Sequence, residues 1–163
     1  MIRHSLSSPA LVHSAVLAIG MMSSHHVARA EAFLWTYDAE SRSLIGMEQV
    51  EEGDYAFHAV CAAPAKVTLG IGADVGVGEG KGEKVSITLA TASRTVRIDG
   101  TSGNSANFEM TAGVELQATV PLSHPVFQLL LDPGPIKATG ALKHAWPDQG
   151  RAAASRKFIA GCR

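Results

Sequence analysis

Short segments that alternate apolar and polar residues constrain the fold of this 163-residue chain more than any other feature. The segments are residues 66–71, 84–90 and 114–120, in which every second residue is Val, Leu, Ile or Ala. A period of two places those side chains on one face of a β-strand. The sequence therefore predicts an antiparallel sheet that buries one face and shows the other to solvent.

The rest of the chain adds strands and helices to this sheet. Further β-prone segments, bounded by Gly, Pro or polar residues, lie at residues 32–37, 54–60, 95–99 and 136–142. Asp99-Gly100 indicates a turn. Residues 126–131 favour one or two helical turns, and the Ala-rich residues 149–162 predict a C-terminal helix with Cys162 on its buried face.

These elements predict a mainly β (α+β) fold. We expect an antiparallel β sandwich or partly closed barrel with a C-terminal helix and one disulfide. The alternative is a wholly β sandwich in which residues 156–162 form the final strand.

The first thirty residues have the features of an export signal. Arg3 precedes an apolar stretch over residues 10–22, and Ala28-Arg29-Ala30 supplies the small residues that a signal peptidase requires. The alternative is a buried N-terminal helix. Cleavage after residue 30 would leave residues 31–163 as a single β-rich domain, so we expect a periplasmic or secreted protein.

Two cysteines remain after this leader, Cys61 and Cys162. In an exported domain they most simply form one disulfide, which would join an early strand to the C-terminal helix. Two free thiols or an intermolecular bridge are the alternatives. Neither cysteine has a neighbouring His or cationic run that would lower its pKa for catalysis.

The charge pattern bears on the class of partner. The leader contains two of the 14 basic residues, so 12 remain against 15 acidic ones, a net charge of about −3. No segment concentrates the basic residues, so we expect no nucleic-acid partner. No second apolar stretch is long enough to span a membrane. The sequence does not set the oligomeric state.

A glycine-rich segment over residues 70–84 has Gly at nearly every second position. It lacks the residues of a phosphate-binding loop or of a dinucleotide-binding fingerprint. We predict a long structural or flexible hairpin whose exposed tip carries Glu79 and Lys81 as candidate binding residues. A ligand-contacting loop is the alternative.

The sequence contains no recognisable catalytic or metal-binding pattern. His58, His124 and His144 lack metal-ligand spacing, and no Gly-x-Ser-x-Gly nucleophile elbow occurs. We therefore assign no catalytic residue, metal ligand or cofactor. Trp146, beside Pro147 in a polar stretch, is a candidate exposed binding residue.

The chain resembles small exported alphaproteobacterial proteins of the invasion-associated locus B type. The similarity lies in Val60-Cys61 and in residues 108–113, 129–134 and 158–162. It implies a β-rich periplasmic or surface protein linked to host interaction, and it transfers no functional residue.

Our leading hypothesis from the sequence is an exported, non-enzymatic domain that binds a protein or cell-envelope component. The first alternative is a small secreted hydrolase that combines His124 or His144 with an acid, which requires a cleft where those groups meet. The second alternative is a carrier of a small ligand or metal.

Overall fold

The computed structural model describes residues 33–49 and 54–163. The leader predicted over residues 1–30 lies outside the described residues. The described strands are β1 (Phe33–Asp38), β2 (Ser43–Glu48), β3 (Phe57–Ala63), β4 (Lys66–Ile71), β5 (Lys84–Ala90), β6 (Thr95–Asn104), β7 (Val114–Pro121), β8 (Ile136–Gly140) and β9 (His144–Trp146). The described helices are α1 (Phe108–Thr111), α2 (Pro125–Leu129) and α3 (Arg151–Gly161).

All nine strands belong to one antiparallel sheet in the order β1-β2-β3-β4-β7-β6-β5-β8-β9. The sheet curls into a nearly closed barrel that brings β1 close to the chain following β9. Trp35 Nε1 donates a hydrogen bond to the carbonyl of Pro147 at 2.8 Å across this seam. The predicted mainly β architecture is therefore confirmed in its partly closed barrel form.

Side chains from the alternating strands fill the barrel interior. Val67, Leu69 and Ile71 of β4 are fully buried, as their spacing predicts. The Phe57 ring contacts Trp35 and Trp146 at centroid separations of 5.6 and 6.5 Å. Each buried aromatic side chain contributes about 1.5–3 kcal/mol through removal of its apolar surface from water.

Two short helices and a disulfide close one end of the barrel, which we call the helix end (α2, α3 and Cys61–Cys162). The predicted bridge is confirmed, with an S–S distance of 2.08 Å and a Cα–Cα distance of 5.5 Å. The Phe158 ring of α3 lies between those of Tyr37 and Phe127. The C-terminal helix is thus confirmed, and the alternative of a final strand over residues 156–162 is wrong.

A buried arginine stabilises the helix end in a way that the sequence did not reveal. Arg151 has no solvent exposure. Its Nε donates to the carbonyl of Leu130 at 3.1 Å, and its Nη2 donates to the carbonyls of Asp132 and Gly134. The planar guanidinium supplies several donors in a fixed geometry, so one side chain satisfies three carbonyls after α2.

One strand was missed by the sequence analysis, and two of its expectations are wrong. The sequence pattern did not indicate β2. Asp99-Gly100 is not a turn, because β6 runs straight through it. Finally, residues 70–84 do not form a hairpin, since β7 and β6 separate β4 from β5 in the sheet.

Candidate functional site

The end of the barrel opposite the helix end is formed by loops. Ile71, at the end of β4, pairs with Phe57 at the start of β3 and with Leu116 near the start of β7. Asn104, at the end of β6, pairs with Val114. The connections adjoining these residues therefore lie together. We call this the loop end: residues 54–56, 72–83 and 105–113, with the adjoining strand termini.

The glycine-rich connection over residues 72–83 adopts a backbone that only glycine reaches without strain. Gly76, Gly78, Gly80 and Gly82 have φ angles of +72°, +82°, +72° and +80°. A residue with a Cβ is disfavoured at these left-handed φ angles even where there is space for the side chain. The alternating glycines thus produce a chain of turns and not the extended hairpin that we predicted.

Glu83 and Ser102 hold these turns in place. The Glu83 carboxylate accepts hydrogen bonds from the backbone N–H of Glu79 and, at 2.9 Å, from that of Lys81. These backbone hydrogen bonds, that from Glu79 first, lower the pKa of Glu83 below its ordinary value. Ser102 Oγ accepts from Gly80 N at 2.9 Å and donates to the carbonyl of Val77. Side chains of the protein itself, one at the end of the loop and one on β6, therefore fix the loop.

The candidate binding residues Glu79 and Lys81 project from this fixed loop. Their side chains are 72% and 77% exposed, and Lys81 Nζ lies 2.8 Å from Glu79 Oε2. An ion pair this exposed contributes little to stability, because water and salt screen it. Both groups remain accessible to a partner, although their role as binding residues stays a prediction.

Three large apolar side chains are exposed at the same end of the barrel. Met110 of α1 is 75% exposed, Val75 of the glycine-rich loop is 46% exposed, and Leu34 at the start of β1 is 38% exposed. Among the described residues, these are the exposed large hydrophobic side chains. Single exposed apolar residues are common on protein surfaces, so the feature to note is that all three lie at one end of the barrel.

A histidine–carboxylate pair lies nearby on the outer face of the sheet. His58 Nε2 lies 3.2 and 3.1 Å from the two carboxyl oxygens of Glu115, within hydrogen-bond distance of both. Gln117 Nε2 donates to Glu115 Oε1 at 3.2 Å. Glu115 is only 3% exposed, so these partners compensate a carboxylate that is largely removed from water.

Gly70 makes the pair between His58 and Glu115 geometrically feasible. The two side chains extend from β3 and β7, and they meet across β4, which lies between those strands. A Cβ at Gly70 would lie 1.8 Å from His58 Nε2 and 2.4 Å from Glu115 Oε2. The sequence could not show this arrangement, because it depends on the register of three strands.

Asp54 joins two segments of the loop end. Its carboxylate accepts hydrogen bonds from Ser105 Oγ at 2.9 Å and from Thr111 Oγ1. The side chain is only 8% exposed. The buried carboxylate thereby fixes the segment that carries α1 and its exposed methionine.

The histidines of the hydrolase alternative lie at opposite ends of the barrel. His124 is at the helix end, where its Nδ1 accepts a hydrogen bond from Val126 N at 3.3 Å, and burial lowers its pKa. His144 is at the loop end, with its Nε2 3.9 Å from Asp74 Oδ2. Burial raises the pKa of Asp74. The structure brings one predicted histidine near an acid and keeps the other far from it.

Trp146 does not have the exposed position that we expected. Its side chain is fully buried against Phe57 and His144, because β9 turns it into the barrel interior. The prediction of an exposed Trp146 is therefore wrong, and the ring offers no surface to a partner. The polar residues around it in the sequence, Lys143, Asp148 and Gln149, are exposed and lie outside this three-residue strand.

Neither a metal-binding cluster nor a membrane-spanning helix occurs among the described residues. Within residues 33–49 and 54–163, no cluster of three or more His, Cys, Asp or Glu side chains has the geometry to hold a metal ion. No helix in that part of the chain is long and apolar enough to cross a membrane. No family model, curated protein or solved structure matches this chain.

Proposed function

We propose that this protein is an exported, non-enzymatic binding domain that contacts a protein or cell-envelope component through the loop end. The observation that carries the proposal is the internally fixed glycine-rich loop, which holds Glu79 and Lys81 in solvent near exposed apolar side chains. A surface ordered before binding loses less conformational entropy when a partner arrives.

Two observations support export as part of this proposal. Disulfides such as Cys61–Cys162 are typical of proteins in oxidising compartments. The first thirty residues have the pattern of a cleavable leader. The periplasm or the cell exterior is therefore the proposed location. The resemblance to the invasion-associated locus B type agrees with a role at the cell surface or in host contact, and that relationship also stays a proposal.

Photo-cross-linking in the producing cell tests this function. A photoreactive residue replaces Met110 in one variant and Lys157, an exposed residue of α3 at the helix end, in a matched control. We expect a discrete covalent adduct from position 110 and none from position 157. Adducts from position 157 alone, or no adduct from position 110, would contradict a loop-end contact.

The pair of His144 and Asp74 favours hydrolysis as a second candidate function. A carboxylate near a histidine is the arrangement that orients a general base, although the two atoms are 3.9 Å apart. A panel of ester, amide and glycoside substrates tests this candidate. Turnover that His144→Gln abolishes and His124→Gln leaves unchanged would support it and would reject the non-enzymatic proposal.

A further inference from the structure

A groove of about 550 Å³ lies on the outer face of the barrel and begins at Lys84, the first residue after the glycine-rich loop. Five outward side chains of β5 and β6 line it: Lys84, Ser86, Arg97, Asp99 and Thr101. Val85 and Gly100, which pair with each other across the two strands, also line it. Strand β8 pairs with β5 only over Ile87–Ala90, so the sheet is narrower beside the groove.

The charges in this groove favour an anionic ligand. Lys84 has no carboxylate partner within the described residues. Arg97 uses its Nε to donate to Asp99 Oδ1 at 2.8 Å, which leaves its terminal nitrogens for other acceptors. Glu83, the next acid along the chain, has its carboxylate on the backbone of the glycine-rich loop. The groove therefore carries a net positive charge.

The spacing of these groups suits an extended ligand. Lys84 pairs with Thr101 at one end of the groove, and Arg97 pairs with Thr88 at the other. The two cations are thus separated by four strand residues, or about 13 Å. The Ser86 hydroxyl and the Asp99 carboxylate lie between them, and the Thr101 hydroxyl lies beside Lys84. Together these groups donate and accept hydrogen bonds.

This set of groups distinguishes between classes of anion. No aromatic residue lines the groove in the described part of the chain, so stacking of a nucleobase or of a neutral sugar is not provided. Two cations are too few for the many phosphate contacts that hold a nucleic acid to a protein. Every sugar residue carries hydroxyls that both donate to Asp99 and exchange hydrogen bonds with Ser86, whereas an acidic peptide offers only its backbone N–H groups as donors.

We propose that the β5–β6 groove binds an acidic oligosaccharide, with Lys84 and Arg97 on its anionic groups and Ser86, Asp99 and Thr101 on its hydroxyls. The ligand lies along the strands on the outer face. This inference goes beyond the loop-end contact and does not depend on it.

Isothermal titration calorimetry of the oxidised protein tests the proposal with defined probes. These are oligogalacturonate, a sulfated oligosaccharide, neutral maltotriose and inorganic phosphate. We expect saturable binding of an acidic oligosaccharide, weakened about fivefold by Lys84→Gln and by Arg97→Gln as two partly exposed charge contacts are lost. Lys84→Arg should retain binding. Lys157→Gln on α3 should leave it unchanged.

Several results would overturn the proposal. They are absence of saturable binding to both acidic oligosaccharides, equal binding of maltotriose, and phosphate binding as tight as that of the acidic probes. A Lys157→Gln variant weakened as much as Lys84→Gln would show attraction to charge in general. A loop-end contact that fails in cross-linking leaves this experiment unaffected, so the two proposals fail separately.

Discussion

Substitution of Gly70 by alanine should destabilise the protein strongly although the backbone tolerates it. The new Cβ would lie 1.8 Å from His58 Nε2 and 2.4 Å from Glu115 Oε2, so the two side chains must separate. Glu115, 3% exposed, then loses its histidine partner. Loss of a hydrogen bond to a buried charged group costs about 1.5–3 kcal/mol. We expect about 3 kcal/mol, because the two side chains must also leave their packed positions to make room for the Cβ.

Urea and thermal denaturation followed by circular dichroism measure this effect. About 3 kcal/mol corresponds to a fall in Tm of about 10 °C for a domain of this size. The control repeats Gly70→Ala in a His58→Ala, Glu115→Ala background, where the space is free and the cost should fall below about 1 kcal/mol. Equal destabilisation by Gly70→Ala in both backgrounds would refute the explanation. An unchanged free energy of unfolding for Gly70→Ala in the wild-type background would also refute it.

Three further predictions concern the disulfide, the glycine-rich loop and the buried arginine. Replacing Cys61 and Cys162 together by serine should lower the free energy of unfolding by about 4 kcal/mol, the value for a loop of roughly 100 residues; unchanged urea denaturation would contradict this. Because the pKa of Glu83 is depressed, its contribution is complete above its ordinary value of 4.5 and disappears as the pH falls through the depressed value. Glu83→Gln should therefore remove the acid sensitivity of the loop amides seen by NMR, and persistence of that sensitivity would exclude Glu83 as its origin. Arg151→Lys should cost about 3 kcal/mol by urea denaturation, since lysine cannot serve three carbonyls in one plane, and full stability in that variant would count against the assigned role.

Regular local patterns made much of this fold predictable. The alternation in β4 and β5 identifies both strands and their buried faces, because one side of each strand lies in the core. Pro125 at the first position of α2 indicates that helix, and the Ala-rich C-terminal segment indicates α3. The disulfide followed from the presence of only two cysteines in a chain predicted to be exported.

Other features depend on tertiary contacts that no local pattern contains. Strand β2 includes Gly46, where a Cβ would lie 2.8 Å from the Trp35 ring. Close packing against that ring therefore requires glycine at this position, and this requirement breaks the apolar–polar alternation that marks the other strands. Gly100 resembles a turn residue, yet β6 needs it because a side chain would lie 2.3 Å from the carbonyl of Gln117. In both cases a neighbouring strand selects the glycine.

The candidate site was predictable only in part. The exposure of Glu79 and Lys81 follows from their polar, glycine-rich surroundings. The fixed shape of the loop does not, because Ser102 lies on β6 and contacts the loop only in the folded sheet. Trp146 was misassigned since a polar stretch can contain a short strand with one buried side chain.

Amide hydrogen exchange of the glycine-rich loop tests most directly whether the loop end is formed before any partner binds. In the oxidised wild-type protein we predict slow exchange at Val77, Glu79, Gly80, Lys81 and Gly82, whose N–H groups all donate hydrogen bonds. Exchange at the rates of an unstructured peptide at these five amides would contradict the account, because a flexible loop presents no preformed surface.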